Sequence, residues 1–157
     1  MTNFWQQISR PIIALAPMED VTDTVFREVV RSVSSSEALN VLFTEFTSTD
    51  GLCNEIGRKS VGMRLLVSDS EREWLTKTNT RLVAQIWGSD SEKFLKSAQL
   101  ITEMGQFDGI DINMGCPVKK VVKNKSCSAL INYPELAREI IVATKEGTHL
   151  PVSVKTR

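Results

Sequence analysis

Ile12-Ile13-Ala14-Leu15-Ala16-Pro17-Met18-Glu19-Asp20 is the stretch on which the fold turns. Its first five residues are apolar and partly β-branched, as in a strand buried on both faces. The next four, Pro17 to Asp20, turn polar and include no glycine. A doubly wound dinucleotide-binding sheet needs a glycine-rich turn here, so that backbone can approach a pyrophosphate at the next helix's amino end. A (β/α) barrel has no such requirement, because its chemistry is carried by side chains at the strand ends.

The same rhythm continues outward from this stretch. Residues 41–46, 82–87, 109–113 and 151–155 are further strand-length runs. Between the runs lie helical patterns. Residues 22–33 open on Thr22-Asp23 as a cap and put Val25, Phe26, Val29 and Val30 on one face. Residues 90–104 do the same with Phe94, Leu95, Ala98, Leu100 and Ile101. Residues 133–146 carry Pro134 near the first helical position and stop at Gly147. The irregular stretch 47–80 leaves room for short helices at 52–59 and 70–76. Strand–helix alternation of this kind implies right-handed parallel βαβ units.

Several runs end in chemically capable residues: Glu45, Gln85, Asn113 and Lys155. In a barrel all of these converge on the carboxyl-terminal rim. The pattern therefore predicts an α/β fold, a TIM (β/α)8-type barrel of which five strands are counted. A closed barrel needs eight, so residues 1–157 read as part of something about twice as long.

Composition bounds the function. With 41% hydrophobic and 24% charged residues, the chain has the balance of a globular domain. Lys plus Arg equals Asp plus Glu at 19 each, so any case for nucleic acid must rest on a local patch. Cys53, Cys116 and Cys127 show no CxxC spacing and His149 is the single histidine, which argues against a zinc site and a disulfide framework. The expectation is no metal and a reducing, cytoplasmic location. No apolar run approaches the roughly 20 residues of a membrane span.

The densest chemical signal is Asp111-Ile112-Asn113-Met114-Gly115-Cys116-Pro117. Gly115, through its backbone freedom, and Pro117, through its fixed turn, would hold Cys116 at a strand end with its sulfur inward. An ordinary thiol, with a pKa of about 8.5, is protonated at neutral pH and can donate a proton unaided, whereas a nucleophile would want a base. His149 precedes a strand at the opposite rim and is poorly placed for that task. The alternative is an inert buried cysteine. Next along the chain, Lys119, Lys120, Lys123 and Lys125, with no acid between them, form either a solvated loop or a place to neutralise phosphates. Gln85 and Lys155 could also be a backbone-satisfied amide and a solvated charge. Glu45 reads as a rim carboxylate or, preferably, as a structural partner of a neighbouring arginine.

Four motifs, in order, carry a resemblance. They are Ala16 to Asp23, Val83 to Ser89, Asn113 to Pro117, and Val154 to Arg157. From about residue 11 onward the chain resembles the tRNA-dihydrouridine synthase family. That resemblance implies a TIM barrel with a helical tRNA-binding domain, FMN as cofactor, NADPH as reductant and uridine in tRNA as substrate. Residues 1–157 would be the amino-terminal part of the FMN-binding barrel, with the remainder of the barrel and the helical domain absent. By motif, backbone at Pro17 and Met18 would pack on the flavin ring, Gln85 would bond its pyrimidine edge, and Lys155 would sit near N1 and O2. Asn113 would orient the uracil, Cys116 would protonate C5, and Arg157 would touch flavin or substrate; Lys119 and Lys120, by their charge beside Cys116, would touch the RNA substrate.

Residues 125–130 depart from the family, which usually places glycines and alanines there; Cys127 is unusual at such a point. Other readings are an FMN barrel acting on free pyrimidines, and a non-catalytic half-barrel. An open barrel would also bind FMN weakly, and would either self-associate through its unpaired strand edges or be partly disordered.

Overall fold

The computed structural model describes residues 3–35 and 37–157. Along the chain, β1 (Ile13–Leu15) leads through α1 (Thr24–Val33) to β2 (Leu39–Phe43). A two-residue strand, β3 (Thr47–Ser48), is followed by three short helices, α2 (Thr49–Cys53), α3 (Glu55–Val61) and α4 (Asp69–Lys77). Then come β4 (Arg81–Trp87), α5 (Ser91–Met104), β5 (Gly109–Asn113), α6 (Lys119–Lys123), α7 (Pro134–Glu146) and β6 (Val152–Lys155).

Every strand pairing is parallel. The order across the sheet is β1-β2-β4-β5-β6, with β3 extending onto the far end of β4. This order follows the chain without reversal, whereas a doubly wound sheet reverses at its switch point. The sheet curls into a half-barrel with helices between its strands, a partial TIM-type barrel as expected.

Strand alternation sorts the core into two layers. Leu82, Ala84 and Ile86 of β4 and Ile110 and Ile112 of β5 face outward and pack with Phe94, Ala98 and Ile101 of α5 and Ile140 of α7. Each fully buried Leu, Ile or Phe among them contributes about 1.5–3 kcal/mol by leaving water. Val41, Phe43 and Val83 face inward and meet Phe4. Phe4 belongs to a 3-10 turn, Phe4–Gln6, capped by Asn3. It plugs the amino end of the barrel so closely that a Cβ on Gly109 would lie 3.1 Å from its ring.

Three expectations needed correction. The apolar stripe of α1 exists, but Val25, Val29 and Val33 are 61%, 56% and 82% exposed among the described residues. What α1 buries is Arg27. Its guanidinium binds Glu71 at 2.7 and 2.8 Å and the carbonyls of Thr22 and Leu66 at 2.8 Å. Removing one partner of such a buried pair costs about 3–5 kcal/mol. Second, the run expected at 41–46 ends as strand β2 at Phe43; Thr44 still donates its N–H to the Val83 carbonyl at 3.0 Å, and its hydroxyl accepts the N–H of Gln85 at 3.1 Å. Third, the lysine stretch is not a loop: Lys119–Lys123 is a helical turn anchored by buried Val121. No helix among the described residues is long and apolar enough to cross a membrane.

Candidate active site

Inward-facing residues near the carboxyl ends of the strands differ in kind from the apolar plug below them. Pro17, Gln85, Asn113, Cys116, Lys155 and Arg157 line one recess of about 350 Å³, with Phe46, Gly115 and Thr156 completing it. Six side chains singled out in the sequence thus share one site. Met18, Lys119 and Lys120 lie outside it. A larger recess, about 670 Å³, opens between Phe4 and the starts of β2 and β4. It holds none of the singled-out residues and lies at the end of the barrel that carries stability rather than chemistry.

Hydrogen bonds tie the recess together. Asn113 Oδ1 accepts the backbone N–H of Gly115 at 3.0 Å and of Cys116 at 3.1 Å, closing the turn that presents the cysteine. Asn113 Nδ2 donates to Gln85 Oε1 at 3.0 Å, and Gln85 Nε2 donates to Asp111 Oδ2 at 2.6 Å. Ser153 donates to the other Asp111 oxygen at 2.6 Å. Burial pushes the Asp111 carboxyl above the usual carboxylate range; the bonds from Ser153 and Gln85 and the charge of Lys155 oppose that rise. Register explains the grouping: Gln85 pairs with Asp111, Asp111 with Ser153, and Asn113 with Lys155 across neighbouring strands. Asp111 and Ser153 were missed in the sequence. The signal was available, since each lies two residues before a singled-out inward residue, Asn113 and Lys155.

The Cys116 turn corrects one point. Gly115 does not adopt a left-handed backbone; among the described residues those that do are Asp20, Gly105, Lys125 and Cys127. Space is the reason for glycine at 115, because a Cβ there would lie 3.3 Å from the carbonyl oxygen of Thr156. Cys116 is half-buried, and its carbonyl accepts the N–H of Ser128 at 3.2 Å. That bond brings the next segment back against the turn, with Cys127 buried in it. Burial pushes the Cys127 thiol up to about 12, with smaller contributions from Cys116 and Glu19. With φ of 55° and 54°, Lys125 and Cys127 take the conformation natural to glycine. The backbone therefore makes left-handed turns at both positions, at a cost of about 1–2 kcal/mol for each side chain held there.

The loop after β1 is pinned from below. Met18 donates its N–H to Thr22 Oγ1 and accepts from it, both at 3.0 Å. Glu45 is structural, as preferred, but its partner is the N–H of Asp20 at 2.6 Å rather than an arginine. Arg64 pairs instead with Glu19 and Asp20. Lys119, Lys120 and Lys123 are exposed on α6, directly after the Cys116 turn. Lys125 stands over the Tyr133 ring at 5.1 Å.

A family model described as dihydrouridine synthase (Dus) matches residues 14–157, which takes in every residue of the recess. The chain belongs to the dihydrouridine synthase family. Among curated relatives of this family, a probable tRNA-dihydrouridine synthase of Staphylococcus aureus (strain COL) is 49% identical over 155 residues, covering 99% of this chain and 43% of the relative. One from Staphylococcus epidermidis is 50% identical over 155 residues, covering 99% and 44%. Probable tRNA-dihydrouridine synthase 2 of Bacillus subtilis (strain 168) is 47% identical over the same length and shares. The chain thus spans less than half the length of the relatives it matches.

Proposed function

We propose that the chain forms part of an FMN-binding barrel domain that reduces uridine to dihydrouridine in tRNA, with Cys116 as the proton donor. The observation that carries this reading is the shared recess of Cys116, Gln85 and Lys155 in a chain of the dihydrouridine synthase family. The residues fit a flavin. Gln85 spends one N–H on Asp111 and one lone pair on Asn113, and keeps one of each. Those match the alternating carbonyl and N–H edge of an isoalloxazine, while the Lys155 ammonium suits the side where negative charge gathers on reduction. Pro17 and Phe46 give the ring an apolar flank, and Met18, next to Pro17, extends that surface through its backbone.

With FMN held there by Gln85 and Lys155, the flavin would supply the hydride for uracil C6, with NADPH as its reductant. The protein's part is to orient the base and to move a proton. Cys116 delivers that proton to C5 from the rim, where its turn is locked by Asn113. Asn113 has spent its oxygen on backbone and offers the base its remaining N–H. Arg157 lines the recess and Lys119 and Lys120 flank it, a placement suited to phosphates of an RNA substrate. Free thiols at positions 53, 116 and 127 suit a reducing compartment such as the cytoplasm. The open sheet edges, β1 and β6, favour pairing with another copy.

Cys116→Ala tests the assignment. Turnover of tRNA should fall by at least about 10²-fold, the low end for general acid catalysis, while NADPH reduces the flavin at its normal rate. A variant that reduces tRNA normally would remove Cys116 from the role.

A further inference from the structure

The hydrogen-bond chain below Cys116 has a direction. Two backbone donors, Gly115 and Cys116, converge on Asn113 Oδ1, so that amide cannot be turned over. Its nitrogen must then face Gln85, which turns Gln85 Oε1 towards it and Gln85 Nε2 down to Asp111. A glutamine amide has two orientations a half-turn apart, with donor and acceptor exchanged. Here the bonds at both ends select the same one. Asp111 accepts on both oxygens, from Gln85 and from Ser153, and when ionised it has nothing to donate. It is 1% exposed, in an interior that barrels ordinarily fill with branched apolar side chains. A carboxylate there is unfavourable unless something requires an acceptor at that point.

We propose that Asp111 is a positioning residue: it holds the Gln85 amide nitrogen-down, so that the remaining N–H and lone pair of Gln85 meet a flavin in one fixed arrangement. The ligand in this inference rests on the flavin reading of the recess; the orientation rests on the bonds themselves. Ser153 supports Asp111 from β6, so the strand that carries Lys155 also holds the amide's anchor.

Two variants of similar volume separate positioning from mere filling. Asp111→Leu removes the acceptor. Asp111→Asn keeps an oxygen for Gln85 and turns its NH2 to the Ser153 hydroxyl, which then accepts. The first measurement is the side-chain amide signal of Gln85 in 15N-glutamine-labelled protein without added flavin. In wild type and Asp111→Asn one Gln85 proton should be displaced from the free-glutamine position and protected from exchange. In Asp111→Leu it should return to the free position.

The second measurement is FMN affinity by fluorescence titration. Asp111→Leu should weaken it about tenfold, the effect of one hydrogen bond, and Asp111→Asn should restore it to within about threefold. In a Gln85→Leu background, Asp111→Leu should add nothing, because the two act as one unit. An unchanged Gln85 signal in Asp111→Leu, or wild-type FMN affinity in that variant, overturns the proposal. Full-length wild-type protein that binds no FMN overturns the flavin reading instead, and the amide signal still decides the orientation.

Discussion

Asp111 also bears on stability. Burial raises its folded-state pKa above the ordinary unfolded value of about 3.9. The folded state therefore keeps this proton longer than the unfolded state does. Its stabilising contribution is complete below about pH 3.9 and is lost as pH rises through the folded value. Asp111→Asn deletes that dependence while keeping an acceptor for Gln85. Its melting temperature should therefore exceed that of wild type at pH 7, and the gain should shrink as pH falls towards about 4. Thermal melts at the two pH values check this; a gain of equal size at both would show that the carboxyl titrates alike in the folded and unfolded states. The same sign holds for Cys127, whose thiol at about 12 stays protonated in the fold while the unfolded thiol ionises near 8.5. Stability from that residue is lost between those values, so the buried cysteine favours neutral pH where the carboxylate does not.

At the scale of elements, periodicity made most of the barrel legible. β5 occupies the expected 109–113, and α5 and α7 begin one residue inside the expected ranges, with Asp90 accepting the first N–H groups of α5. Position at the strand ends also marked Gln85, Asn113 and Lys155 for the carboxyl-terminal rim. What could not be read was which inward groups bond one another, because Ser153, Asp111 and Gln85 meet only through strand register. The Phe4–Gln6 plug was invisible for a similar reason: three residues carry no period, and Phe4 earns its place only against Gly109 and the inner face. For α6, Lys-Lys-Val-Val-Lys is too short for a helical pattern, and burial of Val121 creates the turn. That turn leaves Lys120 and Lys123 exposed shortly after Cys116 in the chain, and no ion pair engages either among the described residues. Alanine favours helix, so Lys120→Ala with Lys123→Ala should preserve α6. The pair should weaken tRNA binding and make its salt slope shallower by roughly 1–2 units. Filter binding across a salt series reads the slope directly, and an unchanged value would leave these lysines as solvent-facing charge.

For the whole molecule, the layers decide what is left uncovered. The outer layer is sealed where α5 and α7 lie on β4 and β5, and the plug seals the amino end. Nothing comparable covers the β1 side among the described residues. There Ile13 is 51% exposed at the sheet edge and α1 presents Val25, Val29 and Val33 to solvent, although Arg27 ties the other side of the helix firmly to Glu71. The helix is thus held in place with its apolar stripe outward, a rigid patch rather than a frayed one. A parallel edge strand next to such a stripe is a template for another strand and a site for another apolar face. The chain of 157 residues, taken alone, should therefore self-associate. Sedimentation velocity should show species heavier than the 17.5 kDa chain, growing with concentration. Val25→Glu with Val29→Glu alters only exposed positions of α1, so it should leave the fold intact and shift the population to monomer. A wild-type chain that sediments as a 17.5 kDa monomer at all concentrations would show that the edge and the stripe are tolerated in water.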